Sequence, residues 1–300
     1  MIYTVTFNPA LDYVIKVDKF ETGIVNRVFQ ENIFFGGKGI NVSVILRELG
    51  FDSVALGFTA GFTGKALEDG IKAQGITSDF IHLDNGMTRI NVKMKSDNET
   101  EINGMGPDIS KEAIDELFAK LDKLVQGDVL ALSGSIPQTL PEDIYEQIME
   151  RLQDKGVLIA VDATKDLLLN VLKYHPFLIK PNNHELGEMF HVVLNSDEDI
   201  IYYAKELQKQ GARNVLISMA GDGAILVTET DEVIKMGVPK GVIKNSVGAG
   251  DSMVAGFLAG YLKTGSYQEA LKLGTASGSA TAFSEGLAEK AYIDELLKTL

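Results

Sequence analysis

The chain has 300 residues, 45% of them hydrophobic, a formal net charge of −14 and no cysteine. That is ample apolar material for one large core with an appendage. The acidic balance disfavours nucleic acid and anionic membranes as partners, no apolar run is long enough to span a bilayer, and disulfide or thiolate chemistry is excluded. Residues 1–7 pattern as a strand without the basic stretch of a secretory leader, so a cytoplasmic location is expected.

The first third mixes two kinds of element. Residues 12–17, 27–35, 89–95 and 99–103 have strand patterning with polar interruptions. They arrive as two insertions around more regular β–α units. This predicts a small separate sheet lying over the main body as a lid; an irregular edge of one large sheet is the plainer alternative. From Gly127 onward, apolar runs at 128–133 (DVLALS), 157–162 (VLIAVD), 177–180 (FLIK) and 214–219 (NVLISM) alternate with helical stretches near 141–155, 184–190 and 197–210. Such alternation predicts an α/β fold: a doubly wound, mostly parallel sheet with helices on both faces. Residues 250–300 pattern as three helices.

Residues 36–41 (GGKGIN) follow a strand and open a helix. The glycines allow a polar ligand close to the backbone, while Lys38 and Asn41 supply a cation and an amide. Val42 stands where a dinucleotide fingerprint needs its third glycine, which argues against a nicotinamide enzyme. Residues 61–65 (GFTGK) are not a P-loop, because Thr59 occupies the first glycine position and Ala66 follows the lysine.

In the run 89–95 the side chains alternate, with Arg89, Asn91 and Lys93 on one face and Ile90, Val92 and Met94 on the other. Two cations on one face suit a phosphate, which a guanidinium grips with two N–H groups. Residues 180–185 (KPNNHE) end an apolar strand, where open α/β sheets gather ligands. Asn182 and Glu185 there offer oxygens to a hydrated Mg²⁺; a helix capping box is the plain alternative. Residues 218–224 (SMAGDGA) form either a simple hairpin turn or a wall for a nucleotide. The four histidines make no metal pattern.

The most informative stretch is 245–252 (NSVGAGDS), followed by an apolar helical run at 253–262. Gly248 and Gly250 let the backbone turn tightly. The helix start adds unpaired N–H groups and a positive dipole end, making an anion site without Lys or Arg. Asp251 in its mouth would repel an anion. An acid there makes sense if it takes a proton from a hydroxyl that attacks phosphorus. Capping of the helix by Asp251 or Ser252 is the alternative.

The order Thr6-x-Asn8-Pro9-Ala10-x-Asp12, Gly36-Gly37-Lys38-Gly39-x-Asn41, Lys180-Pro181-Asn182-x-x-Glu185 and Val247-Gly248-Ala249-Gly250-Asp251 resembles the PfkB (ribokinase-like) carbohydrate kinase family. The resemblance runs from residue 1 to about residue 285, and the runs 88–93, 100–104 and 133–137 support it. It implies a single ribokinase-like kinase domain over residues 1–300, with lid strands within 12–35 and 88–104. It implies ATP and Mg²⁺ as cofactors and a phosphosugar as substrate.

The resemblance also implies roles. Asp251 would be the base within the turn Gly248, Ala249, Gly250. Asp12, Asn41, Asn91 and the backbone of Gly36, Gly37 and Gly39 would hold the sugar, and Lys38 and Arg89 would meet its phosphate. Lys180, Asn182, Ser218, Gly221, Gly223, Val247, Gly248 and Gly250 would border ATP, with Asn182 and Glu185 organising Mg²⁺. Ala276 and Ser279 would flank adenine. The implied reaction is in-line transfer of the γ-phosphoryl group, with the C6 hydroxyl of fructose 1-phosphate as expected acceptor. Physical reasoning alone stops at a phosphorylated ketohexose, since tagatose 6-phosphate and fructose 6-phosphate fit a flipped pose. A sensor without turnover is disfavoured, because Asp251 and its glycines are all present. The apolar lid face of Ile90, Val92 and Met94 has no further chain to cover it, which predicts a homodimer joined lid to lid.

Overall fold

The structure is a computed structural model and describes residues 1–163 and 165–300. In chain order the elements are β1 (Ile2–Thr6), β2 (Ala10–Lys16), β3 (Gln30–Gly36), α1 (Lys38–Glu48), β4 (Ser53–Ala60), α2 (Gly61–Ala73), β5 (Thr77–Ser78), β6 (Ile81–Leu83), β7 (Arg89–Lys95), β8 (Thr100–Asn103), α3 (Lys111–Leu121), β9 (Val129–Ser133), α4 (Ile144–Leu152) and β10 (Leu158–Asp162). They continue as α5 (Lys165–Val171), β11 (Leu178–Ile179), α6 (Asn183–Phe190), α7 (Asp197–Lys209), β12 (Asn214–Ser218), β13 (Ala224–Val227), β14 (Val233–Met236), α8 (Ala249–Thr264), α9 (Tyr267–Ala282) and α10 (Lys290–Leu297).

The large sheet runs β14-β13-β12-β11-β10-β9-β1-β4-β5, with β6 also on β4. Pairing is parallel from β12 to β5, and only the β12–β13–β14 end is antiparallel. The central strands are mostly apolar and almost wholly buried because both faces are covered. Val5, Leu130, Leu132, Ile159 and Val161 point into one core, and Ile2, Val129, Ala131 and Ala160 into another on the opposite face. Helices α3 to α7 cover the first face; α1, α8, α9 and α10 cover the second. Helix α3 shows how the local sequence achieves this. Ser110 accepts a hydrogen bond from the Ala113 N–H and starts the helix, and Ala113, Ile114, Leu117, Phe118 and Leu121 form its buried stripe.

The chain leaves β1 towards β4 on one side and later returns to β9 on the other. This reversal creates a crevice at the C-terminal ends of β1 and β9, where open α/β sheets bind ligands.

A second sheet has the order β3-β2-β7-β8 and is separate from the large one, as the insertions predict. The register Asp12↔Phe34, Asp12↔Asn91 and Asn91↔Asn103 puts those side chains on one face. Tyr13, Ile33, Val92 and Ile102 align on the other. Two expectations are corrected. The strand expected over 27–35 begins only at Gln30, so Arg27 to Phe29 belong to an exposed connection. Met94, expected on the uncovered face, is buried, whereas Ile33 and Ile102 are 58% and 65% exposed.

Candidate active site

Two glycine turns face each other at the C-terminal edge of the large sheet. The first, Gly36 to Gly39, joins β3 to α1. A Cβ on Gly39 would lie 2.6 Å from the Val5 carbonyl oxygen, so glycine lets α1 start directly against β1. The second enters α8 through Gly248, whose φ of +80° is left-handed. No side chain caps α8; the Ala249 N–H turns back to the Ser246 carbonyl at 3.2 Å, and the N–H groups of Gly250 and Asp251 stay available to an anion.

Asn41 of α1 reaches across and donates from Nδ2 to Asp251 Oδ2 at 2.8 Å. Asp251 is only 5% exposed. Burial and the nearby Asp162 push its carboxyl up to about 6, against the Asn41 hydrogen bond and the charges of Lys38 and Lys180. A carboxylate with that affinity is mostly unprotonated at pH 7 yet a far better proton acceptor than an exposed aspartate.

The small sheet contributes a second cluster. Asn91 donates from Nδ2 to Asp12 Oδ1 at 2.8 Å and accepts from the Gly104 N–H. Arg89 Nε donates to the Asn8 carbonyl at 3.0 Å, which fixes the guanidinium at the rim. Burial lowers its pKa despite the charge of Asp12. Between the small sheet and the edge of the large one lies a cavity of about 460 Å³, lined in part by Asn8, Lys38, Arg89, Asn103, Ser133 and Thr139. Asn8 Oδ1, Ser133 Oγ and Thr139 Oγ1 are buried there without a hydrogen-bond partner in the protein. Buried polar atoms normally have partners. The two cations on the cavity wall, Lys38 and Arg89, describe a receptor for an anionic molecule.

Along the same edge, Lys180 follows β11, and Asn182 bridges to Ser218 at the end of β12. Gly221 and Gly223 form the turn from β12 to β13, and Val247 is exposed just before α8. Asn182 and Glu185 make a reciprocal capping box, each side chain accepting from the other's backbone N–H at 2.8 Å. The capping reading therefore holds in the structure. It does not exhaust the pair, since one Glu185 oxygen accounts for the cap and the carboxylate charge is felt at Lys38 across the cleft. Among the described residues no three His, Cys, Asp or Glu side chains cluster to hold a metal. The donor set suits Mg²⁺ held largely through its own waters, not a protein cage.

One expected residue is misplaced. Ala276 has no accessible surface and packs in the core of α8 and α9, so it is not positioned to touch a ligand; Ser279 keeps a slight exposed edge. Helix α9 still backs the second glycine turn, since a Cβ on Gly278 would lie 3.1 Å from the Ala249 carbonyl oxygen.

Sequence reasoning missed Asp162, which lies between Lys38 and Lys180 at the end of β10. It also missed Asn8, Asn103 and Thr139 as cavity walls. The signal was present: DVLALS and VLIAVD each end an apolar parallel strand on a polar residue, Ser133 and Asp162, at the ligand-binding edge.

No helix among the described residues is long and apolar enough to cross a membrane. The chain is 47% identical over 297 residues to a 1-phosphofructokinase of Bacillus subtilis, covering 99% of this chain and 97% of that protein. It is 38% identical over 296 residues to a D-tagatose-1-phosphate kinase of Bacillus licheniformis, covering 98% and 97%. Its fold superposes with a TM-score of 0.93 on the phosphofructokinase-2 of Escherichia coli crystallised with substrates and products, at 24% identity, covering 100% and 99%. The pfkB family of carbohydrate kinases matches residues 5–293, and the chain belongs to that family.

Proposed function

We propose that this protein transfers the γ-phosphoryl group of ATP to the C6 hydroxyl of fructose 1-phosphate, giving fructose 1,6-bisphosphate and ADP. The observation that carries the reading is Asp251: a buried carboxylate at an uncapped helix start, hydrogen-bonded to Asn41 and within the electrostatic reach of Lys38, which lines the cavity together with Arg89.

Phosphoryl transfer asks the protein for positioning, charge neutralisation and removal of one proton. Asp12 and Asn91 hold ring hydroxyls, together with Asn41 and the backbone of Gly36 to Gly39. Arg89 and Lys38 take the substrate phosphate. Asp251 accepts the proton of the attacking hydroxyl. The N–H groups of Gly250 and Asp251, at the start of α8, face the negative charge that builds on the moving group. Lys180, Ser218, Gly221, Gly223, Val247 and Ser279 border ATP. Asn182 and Glu185 would hold Mg²⁺, and the ion would neutralise charge on the ATP phosphates. The small sheet serves as a lid that keeps water from competing as acceptor. Its exposed row of Ile33 and Ile102 pairs with a second copy, giving a homodimer. The reaction is placed in the cytoplasm, where ATP is available.

Tagatose 1-phosphate is a second acceptor to weigh, favoured by the likeness to the B. licheniformis kinase. It differs from fructose 1-phosphate only in the configuration at C4 and offers the same C6 hydroxyl. A coupled ADP-release assay with fructose 1-phosphate, tagatose 1-phosphate, tagatose 6-phosphate and fructose 6-phosphate tests both. The reading expects the highest kcat/KM for fructose 1-phosphate. A highest value for tagatose 1-phosphate would transfer the assignment, and a highest value for either 6-phosphate would reverse the bound orientation.

A further inference from the structure

Asp162 is a buried carboxylate to which the proposed phosphoryl transfer assigns no task. It ends β10 at the site edge and is 5% exposed. Its two oxygens serve two lysines from different elements. Lys180 Nζ lies 3.1 Å from Oδ1, and Lys38 Nζ lies 3.5 Å from Oδ2. The lysines then diverge. Lys38 lines the cavity beside Arg89. Lys180 passes under the first turn of α8, its ammonium 3.2 Å from where a Cβ on Gly250 would stand.

A buried ion pair is a poor device for stability alone, since apolar residues of similar volume commonly serve as well or better. Its presence at the meeting point of two glycine turns calls for another reason. The cluster holds two acids, Asp162 and Asp251, and two cations, Lys38 and Lys180. Both lysines also attract Asp251. Without Asp162 they would repel one another and turn to the remaining carboxylate, occupying the group that must accept a proton.

We propose that Asp162 is a positioning residue: its two oxygens hold Lys38 and Lys180 apart, one towards the acceptor and one towards the nucleotide, and keep both off Asp251. The inference rests on the kinase reading above for its purpose, but not for its geometry. Burial alone would raise the carboxyl of Asp162, yet Lys180 and Lys38 hold it below the usual range, so the anchor stays charged across the working pH. At Lys38, burial opposes the charge, but Asp162 and then Asp251 outweigh it and keep the ammonium protonated.

The test is Asp162→Asn, which keeps the shape and removes the charge, with two readouts. The first needs no substrate. In ¹H–¹⁵N spectra of lysine ammonium groups at low temperature, a buried, anchored Lys180 gives a resolved peak, identified by its loss in Lys180→Met. Asp162→Asn should lose that peak while the amide spectrum stays folded. The second uses MgATP with fructose 1-phosphate, or whichever ketose phosphate the wild type turns over. Misplaced lysines should lower kcat on the order of 10²-fold. The acid limb of kcat/KM should also move to lower pH, because a like charge near Asp251 is gone and the freed lysines favour its ionised form. The added Lys180→Met change should cost little more, since both changes break one unit.

A persistent ammonium peak, a kcat within about threefold of wild type, an unmoved acid limb or fully additive losses would each overturn the proposal. Should Asp162→Asn fail to fold, Asp162→Glu decides. It keeps the charge but displaces the oxygens by a methylene, and an undiminished kcat there would equally overturn it. A wild type inactive on all four ketose phosphates would remove the kinase reading, while the ammonium spectrum would still decide whether Asp162 anchors Lys180.

Discussion

Asn41 and Asp251 are 210 residues apart in the chain, yet Asn41 Nδ2 lies 2.8 Å from Asp251 Oδ2. The contact ties the start of α1 to the start of α8 and sets the direction of the carboxylate. It engages only Oδ2, so the hydrogen bond that orients Asp251 does not itself occupy both carboxylate oxygens.

Replacing Asp251 by Asn should leave the fold and ATP binding intact and lower kcat by about 10²–10⁴-fold, the range for a positioned base. Isothermal titration with an ATP analogue and a steady-state assay separate the two effects. Turnover close to wild type would remove Asp251 from the base role.

The wild-type pH profile should carry the signature of the same group. The Asp251 carboxyl is pushed up to about 6 in the folded protein, burial first and Asp162 second. Below that pH the group is protonated and cannot accept a proton, so kcat/KM should fall as pH drops through about 6 and level off above it. The linkage to stability has the opposite sign to that of most acids. A carboxyl whose folded value exceeds its unfolded value opposes folding at neutral pH, and that opposition fades as pH falls through about 6. An acid limb near pH 4, typical of an exposed carboxylate, would contradict the burial argument.

Arg89→Ala should raise KM for the sugar phosphate far more than KM for ATP. Losing a charged hydrogen-bonding partner costs roughly 1.5–3 kcal/mol, on the order of a 10- to 100-fold rise. Equal effects on both substrates would place Arg89 elsewhere in the reaction.

Gly39→Ala should destabilise the whole molecule, because the new methyl would meet the Val5 carbonyl oxygen at 2.6 Å and backbone cannot step aside. Overpacking of this kind costs about 1–3 kcal/mol. Thermal unfolding should show it as a fall in Tm, and an unchanged Tm would mean that α1 can shift away from β1 at no cost.

The lid pairing is tested at Ile33 and Ile102, which share the outer face of the small sheet and are largely exposed. Light scattering at micromolar concentration should give twice the chain mass for the wild type. Ile33→Glu with Ile102→Glu should give the single mass. A monomeric wild type, or a dimer indifferent to both changes, would rule the interface out.

Much of this protein was legible before any fold was known. Apolar runs alternating with helical stretches from Gly127 onward pointed to a parallel sheet, because strands covered on both faces are largely apolar. Glycine turns before α1 and α8 marked helix starts with bare N–H groups, a property of the local backbone. Tertiary structure decided what depends on meetings between distant segments. It put Asp162 between Lys38 and Lys180, buried Ala276, covered Met94, and gathered Asn8, Ser133 and Thr139 around one cavity. A strand pattern states which face a side chain takes, but not what stands opposite it. Charge coupling and burial, and therefore the proton affinity of Asp251, exist only once segments hundreds of residues apart are packed together.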